Sequence, residues 1–245
     1  MSSKAFAIVA GVGPGTGAAV ARKFAASYPV VLMARNPDNY ESLVKEINGN
    51  GGKAIGISTD VADASSITSA FGKIEKEFGG AGCAAAIFNA SGRFVRKPLL
   101  DLTEEEFTAG FDVSCKGAFL FSQATLPLLL KSTDSGKYPP TLIFTGATAS
   151  LKGSAMMSSF ATGKFAMRAL AQSIAREFAP KGIHVAHAVI DGVIDIPRTK
   201  DWLKDMPPEA KISAEAIADS YWYLHTQPKT TFTNELDIRP MLEKW

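Results

Sequence analysis

The stretch Gly11-Val12-Gly13-Pro14-Gly15-Thr16-Gly17 constrains this chain more than any other. It joins a short apolar run, residues 5–10, to Ala18-Ala19-Val20-Ala21, which reads as a helix. Glycines spaced Gly-x-x-x-Gly-x-Gly at a strand-to-helix turn let a ligand approach the backbone, because no side chain stands in the way. The free N–H groups and the positive end of the following helix suit an anion, above all a pyrophosphate. Gly11, Gly13, Gly15, Thr16 and Gly17 are therefore candidate residues for holding a dinucleotide.

The rest of the chain continues the alternation that this turn begins. Residues 30–34, 54–58, 84–88, 141–145 and 183–190 are short apolar runs bounded by Gly, Pro or Asn, as strands buried on both faces should be, and 231–238 adds a last one. Between them, Ile67, Phe71, Ile74 and Phe78 form one helical stripe that Asp63 is placed to cap. Thr103 and Glu106 match a capping box, with Leu102 and Phe107 as its hydrophobic staple. That box starts a long helix over 104–130, with Pro127 a candidate kink, and a second long helix over 159–178 ends before Pro180 and Gly182. Strand and helix repeated in this order predict an α/β protein. Its sheet would be parallel and doubly wound, of about seven strands, with helices on both faces. No repeat or linker divides the chain, so 1–245 reads as a single domain. Residues 134–140 read as a surface loop. The apolar period breaks down over 197–208, which predicts an irregular substrate lid at about 193–212.

Composition removes other functions. The 245 residues are 46% apolar and 20% charged, with a net charge of +2 and no block of about five like charges, so neither nucleic acid nor a membrane surface is indicated. Cys83 and Cys115 form no CxxC pair, and His184, His187 and His225 lack ligand spacing, so no metal is expected. The apolar stretch 118–130 is interrupted by Ser122, Gln123, Thr125 and Pro127 and is too short and polar to cross a bilayer. With no signal peptide visible, the expected location is cytoplasmic.

The second strand closes on Met33-Ala34-Arg35-Asn36. A carboxylate at this point would bind a ribose 2′-hydroxyl and repel a 2′-phosphate. Arg35 can instead pair with that phosphate, which favours NADP(H) over NAD(H).

With these features, and with four further motifs in the right order, the chain resembles the short-chain dehydrogenase/reductase family of single-domain Rossmann enzymes. Gly11, Gly15 and Gly17 match its glycine motif. Asp60-Val61 looks like its adenine-contacting pair, and Asn89-Ala90-Ser91-Gly92 is similar to its Asn-Asn-Ala-Gly motif. Lys164 matches its active-site lysine. Asp191-Gly192, with Val193 behind it, stands where its Pro-Gly follows strand six. The resemblance implies cofactor contacts for Asp60, Val61, Asn89, Ala90, Lys164, Gly192 and Val193. It also implies a catalytic Tyr, Lys, Ser and Asn, and three of these four positions are altered here: Phe160 stands for Tyr, Ala147 for Ser and Ser114 for Asn. Ile196 stands where the family often has a cofactor-contacting Thr. The interval from Lys164 to Gly192 is one residue longer than usual, which predicts a bulge in or after strand six.

Losing a general acid costs on the order of 10²–10⁴-fold in rate, and losing an oxyanion donor costs on the order of 10²–10³-fold more. Simple ketone reduction is thus disfavoured. Thr148, Ser159, Asp191 and His187 lie near the altered positions as possible substitutes. A protonated C=N accepts hydride without a further proton, and a conjugated C=C can take its proton from water. Two readings stay open: an NADP(H)-dependent oxidoreductase with an atypical site, reducing C=N or C=C in an apolar small molecule held near Met156, Met157 and Phe160, or an inactive NADP(H)-binding relative that acts as a sensor or scaffold. The resemblance further implies a homo-oligomer built on the two long helices. The C-terminal stretch 239–245 lacks the glycine-rich end of many tetrameric members, which favours a dimer.

Overall fold

The computed structural model describes residues 5–243. Residues 1–4 and 244–245, the outermost parts of the expected 1–245 unit and of the C-terminal stretch 239–245, lie outside the described residues. Seven parallel strands form one sheet: β1 (Phe6–Ala10), β2 (Val30–Ala34), β3 (Ala54–Ser58), β4 (Cys83–Phe88), β5 (Thr141–Thr145), β6 (His184–Ile190) and β9 (Glu235–Ile238). Their order is β3-β2-β1-β4-β5-β6-β9. The chain winds outward from β1 in one direction, then returns to place β4 on its other side. The crevice at this reversal, outside the strands' C-terminal ends, is where a doubly wound sheet binds its ligand.

Side chains alternate across each strand, so one strand feeds two cores. Phe6 and Ile8 of β1 point into a layer with α3 (Ala64–Phe78), α5 (Gly117–Leu130) and α6 (Ser158–Phe178), where Ile74, Phe121 and Met167 are buried. Ala7 and Val9 point into the opposite layer with α1 (Thr16–Ala25), α2 (Glu41–Gly49) and α7 (Ala214–His225), where Phe24, Leu43 and Tyr221 are buried. All five residues of β1 and β2 are buried. This double burial is why their sequences are continuous apolar runs rather than alternating ones.

Local signals act as expected at the helix ends. The Asp63 side chain accepts from Ser65 N at 2.9 Å, and Gly79 closes α3 in the left-handed region at φ 52°. Thr103 and Glu106 complete a reciprocal capping box at the start of α4 (Glu104–Phe111).

The long helix runs over Glu104–Leu130 as expected, with a π-helical turn at Asp112–Lys116 and Pro127 inside α5 without ending it. Of the bulge expected in or after strand six, none lies within β6, which pairs in unbroken register with β5 on one side and β9 on the other. The chain leaves it through Asp191 and Gly192, whose φ of 150° suits glycine. Helix Glu104–Leu130 contains a stretch of mean hydropathy 1.3, long and apolar enough to cross a membrane. Part of its apolar surface lies in the core, where Ala118, Phe121 and Leu129 are buried, while Phe111 and Phe119 stay exposed.

The segment after β6 is irregular but anchored at both ends. Short strand β7 (Val193–Asp195) pairs in parallel with β8 (Lys211–Ser213), matching Val193 to Lys211, and single 3-10 turns at Pro197–Thr199 and Pro208–Ala210 interrupt the loop between them.

Candidate active site

A cleft of about 1230 Å³ opens at the C-terminal ends of β1, β4, β5 and β6. The glycine turn forms its floor. Gly11 has φ 86°, and any side chain there would collide with the backbone of Ala90. A Cβ on Gly17 would come within 2.6 Å of Gly11 O. A Cβ on Gly13 would meet nothing within 4 Å, so packing does not demand glycine there. Open space at that position is what a ligand lying on the backbone needs. Asn89, from the end of β4, donates its side-chain amide to Gly11 O at 2.9 Å and ties the turn to the sheet.

The fold brings most of the candidate residues together. Gly11, Gly13, Gly15, Thr16 and Gly17 line the cleft with Arg35 and Asn89, and Lys164, Gly192 and Val193 line its far side. Ala147 and Phe160 line it too. Four candidates do not: Asp60, Val61, Ala90 and Ser114. The Asp60 carboxylate accepts from Ala62 N at 3.0 Å, and Val61 is buried against Gly117. Ala90 is pressed under Gly11, and Ser114 is buried within the π-helical turn.

Helix α6 presents Phe160 and Lys164 one turn apart on one face. Lys164 is almost fully buried and donates to Thr145 O at 2.8 Å. Desolvation holds its ammonium down at about 8 rather than the ordinary 10.5. Its Nζ lies 5.8 Å from the Phe160 ring centroid, within cation–π range. The Phe160 ring meets Phe94 edge-on, with centroids 5.3 Å apart.

The possible substitutes take different roles. Thr148 lines the cleft, and its hydroxyl donates to the buried Asp191. The other Asp191 oxygen is paired with Arg239 at 2.6 Å. With its proton committed to Asp191, the Thr148 oxygen can only accept. Ser159 instead donates to the α4 carbonyls of Glu106 and Phe107 and joins the helices. His187 sits behind Gly146. Its Nδ1 is 3.1 Å from a Glu235 oxygen, and burial pushes its pKa down to about 4. It is thus neutral near pH 7 and absent from the cleft wall. Sequence reasoning missed Arg93, Phe94, Lys152 and Trp202, which line the cleft from loops with no motif of their own. It also missed Arg239, whose pairing with Asp191 depends on β9 lying beside β6.

Comparison with known proteins agrees with this geometry. A family model described as short chain dehydrogenase matches residues 5–207. An uncharacterized oxidoreductase of Staphylococcus epidermidis is 29% identical over 236 residues, covering 96% of each chain. Among solved structures, a short-chain dehydrogenase from Rhodopseudomonas palustris superposes with a TM-score of 0.78 at 34% identity, over 96% of this chain and 98% of its own. A metagenomic short-chain oxidoreductase in complex with NADP gives a TM-score of 0.81 at 25% identity, over 98% of this chain and 99% of its own.

Proposed function

The chain belongs to the short chain dehydrogenase family, and from that premise we propose an NADP(H)-dependent oxidoreductase whose remodelled site reduces C=N, or conjugated C=C, in preference to simple ketones. The observation that carries this reading is one cleft lined by the glycine turn, Arg35 and Lys164 together with Phe160 and Ala147.

The residues present fit the cofactor. Open space over Gly13 and the N–H groups at the start of α1 suit its pyrophosphate. Arg35 directly follows β2 and is matched to a 2′-phosphate, and the relative solved with NADP supports the same preference. When bound, NADPH supplies the hydride.

The chain's own residues then select the acceptor. Phe160 has no proton to give, and Ala147 offers no donor to a developing oxyanion. The Phe160 ring, which already faces the Lys164 ammonium, offers a neutral carbonyl neither a proton nor a hydrogen bond. Thr148, donating to Asp191, offers lone pairs that suit an N–H of a cationic carbon–nitrogen centre. A protonated imine takes the hydride and becomes a neutral amine, so no further proton is needed. Lys164, positive below about pH 8, holds charge beside the cofactor site and steadies the wall through Thr145 O. The same two long helices carry exposed apolar side chains and support a homodimer.

Cofactor-fluorescence titration tests the first half of this reading. NADPH should bind at least about tenfold tighter than NADH, the size of one charge-assisted contact. Equal affinities would remove the 2′-phosphate role of Arg35. Turnover with a panel of imines, enones and ketones tests the second half. NADPH binding with no turnover on any class would favour the inactive reading.

A further inference from the structure

The charge on the cleft wall is one-sided. Five cationic side chains line it, Arg35, Arg93, Lys152, Lys164 and Arg198, and no carboxylate does. Among the described residues, Arg35, Arg93, Lys152 and Arg198 have no ion pair and no side-chain hydrogen bond. Three arginines elsewhere pair with carboxylates, Arg22 with Glu46, Arg168 with Glu235 and Arg239 with Asp191, while Arg176 donates to the Gln172 carbonyl. Asp191, just behind Thr148, is already paired with Arg239, so the unpaired cations of the cleft hold a field suited to an anionic ligand.

The topology sorts these cations into two groups. Arg35 follows β2, on one side of β1, whereas Arg93 follows β4 and Lys152 follows β5, on the other side. Ile196 lies directly over Gly15, where a Cβ would come within 2.7 Å of its Cγ2, so the turn that carries Arg198 starts beside the glycine turn. Lys164 is committed to Thr145 O. Arg93 and Lys152 are left over on the substrate side. Arg93 precedes Phe94, whose ring touches Phe160. Lys152 N donates to the carbonyl of Thr148 at 3.1 Å. Their two loops are joined by Lys97 N donating to Met156 O at 2.9 Å. Both cations therefore flank the wall formed by Phe160 and Thr148.

Resting on the proposed cofactor and substrate assignment of this cleft, we infer that the substrate carries an anionic group, a carboxylate or a phosphate, held by Arg93 and Lys152. Its apolar body lies along Phe94, Met157 and Trp202, and its unsaturated bond faces Phe160. A guanidinium and an ammonium on adjacent loops match two oxygens of either anion.

Calorimetric titration of the NADPH-saturated full chain with three matched probes tests this: cinnamate, phenyl phosphate and the neutral cinnamamide. At least one anion should bind about tenfold or more tighter than the amide, with the preference weakening as salt rises. The stronger of the two anions names the source. The Arg93→Gln/Lys152→Gln double variant should lose the preference. Equal binding of all three probes, no saturable binding of either anion, or a preference surviving in the double variant would overturn the inference. NADPH binding, read by its fluorescence in both proteins, keeps the two assignments apart. If NADPH fails to bind, the cofactor reading falls, while the same titrations without it still report the anion preference.

Discussion

Phe160 and Lys164 hold the chemistry of this cleft in tension. An aromatic ring and an ammonium 5.8 Å apart attract each other, yet the pair holds no proton that a ring carbon could release. Restoring a phenol should therefore restore a donor. The Phe160→Tyr variant is expected to gain ketone reduction by about 10²-fold or more, read as NADPH oxidation with a simple cyclic ketone. No gain would mean that the ring does not face the reacting carbon. Lys164 gives a pH signature. Its pKa of about 8 lies below the ordinary 10.5, so the free protein starts to lose this proton near pH 8. An anionic cofactor favours the charged form, so binding should take up a proton at pH 8–9 and affinity should fall as pH rises through that range. Calorimetry in two buffers of different ionisation enthalpy measures the uptake, which Lys164→Met should abolish. The positions of Phe160, Ala147 and Lys164 were legible through the resemblance to the family's motifs, which the cleft lining then brings together. That Thr148 commits its proton to Asp191 was not, because that bond joins loops from two strands.

Elements place these residues through close helix contact. Gly110 of α4 and Gly163 of α6 face each other so tightly that a Cβ on Gly163 would come within 2.7 Å of Gly110 O. The crossing stands directly before the π-helical turn at Asp112–Lys116 and holds α6 at the depth where Phe160 and Lys164 meet the cleft. Gly163→Ala should push the helices apart, costing about 1–3 kcal/mol in chemical denaturation and weakening NADPH binding. A variant as stable as the parent would show that the crossing has slack. Strand positions were readable because buried parallel strands are uninterrupted apolar runs. The π-helical turn left no mark in composition. The pairing of β7 with β8 was equally hidden, since three-residue strands acquire meaning only from the partner they reach across the intervening loop.

At the scale of the molecule, two cores are closed, but one face is not. Phe111, Phe119 and Phe165 are 42%, 44% and 39% exposed along the helical stretch 104–130 and on α6. Large apolar side chains gathered on adjoining helices suit a second copy of the chain. Sedimentation should give a dimer, and Phe119→Glu with Phe165→Glu should shift it to monomer; a wild-type monomer would contradict this. Cofactor binding and acceptor choice are the account's centre, and one assay bears on both. NADPH oxidation is followed with a cyclic imine and with the ketone of the same ring, at equal concentration. The imine should be reduced and the ketone turned over at least about 10²-fold more slowly, the size of one missing acid. A ketone reduced as fast as its imine would contradict the role assigned to Phe160, Ala147 and Thr148.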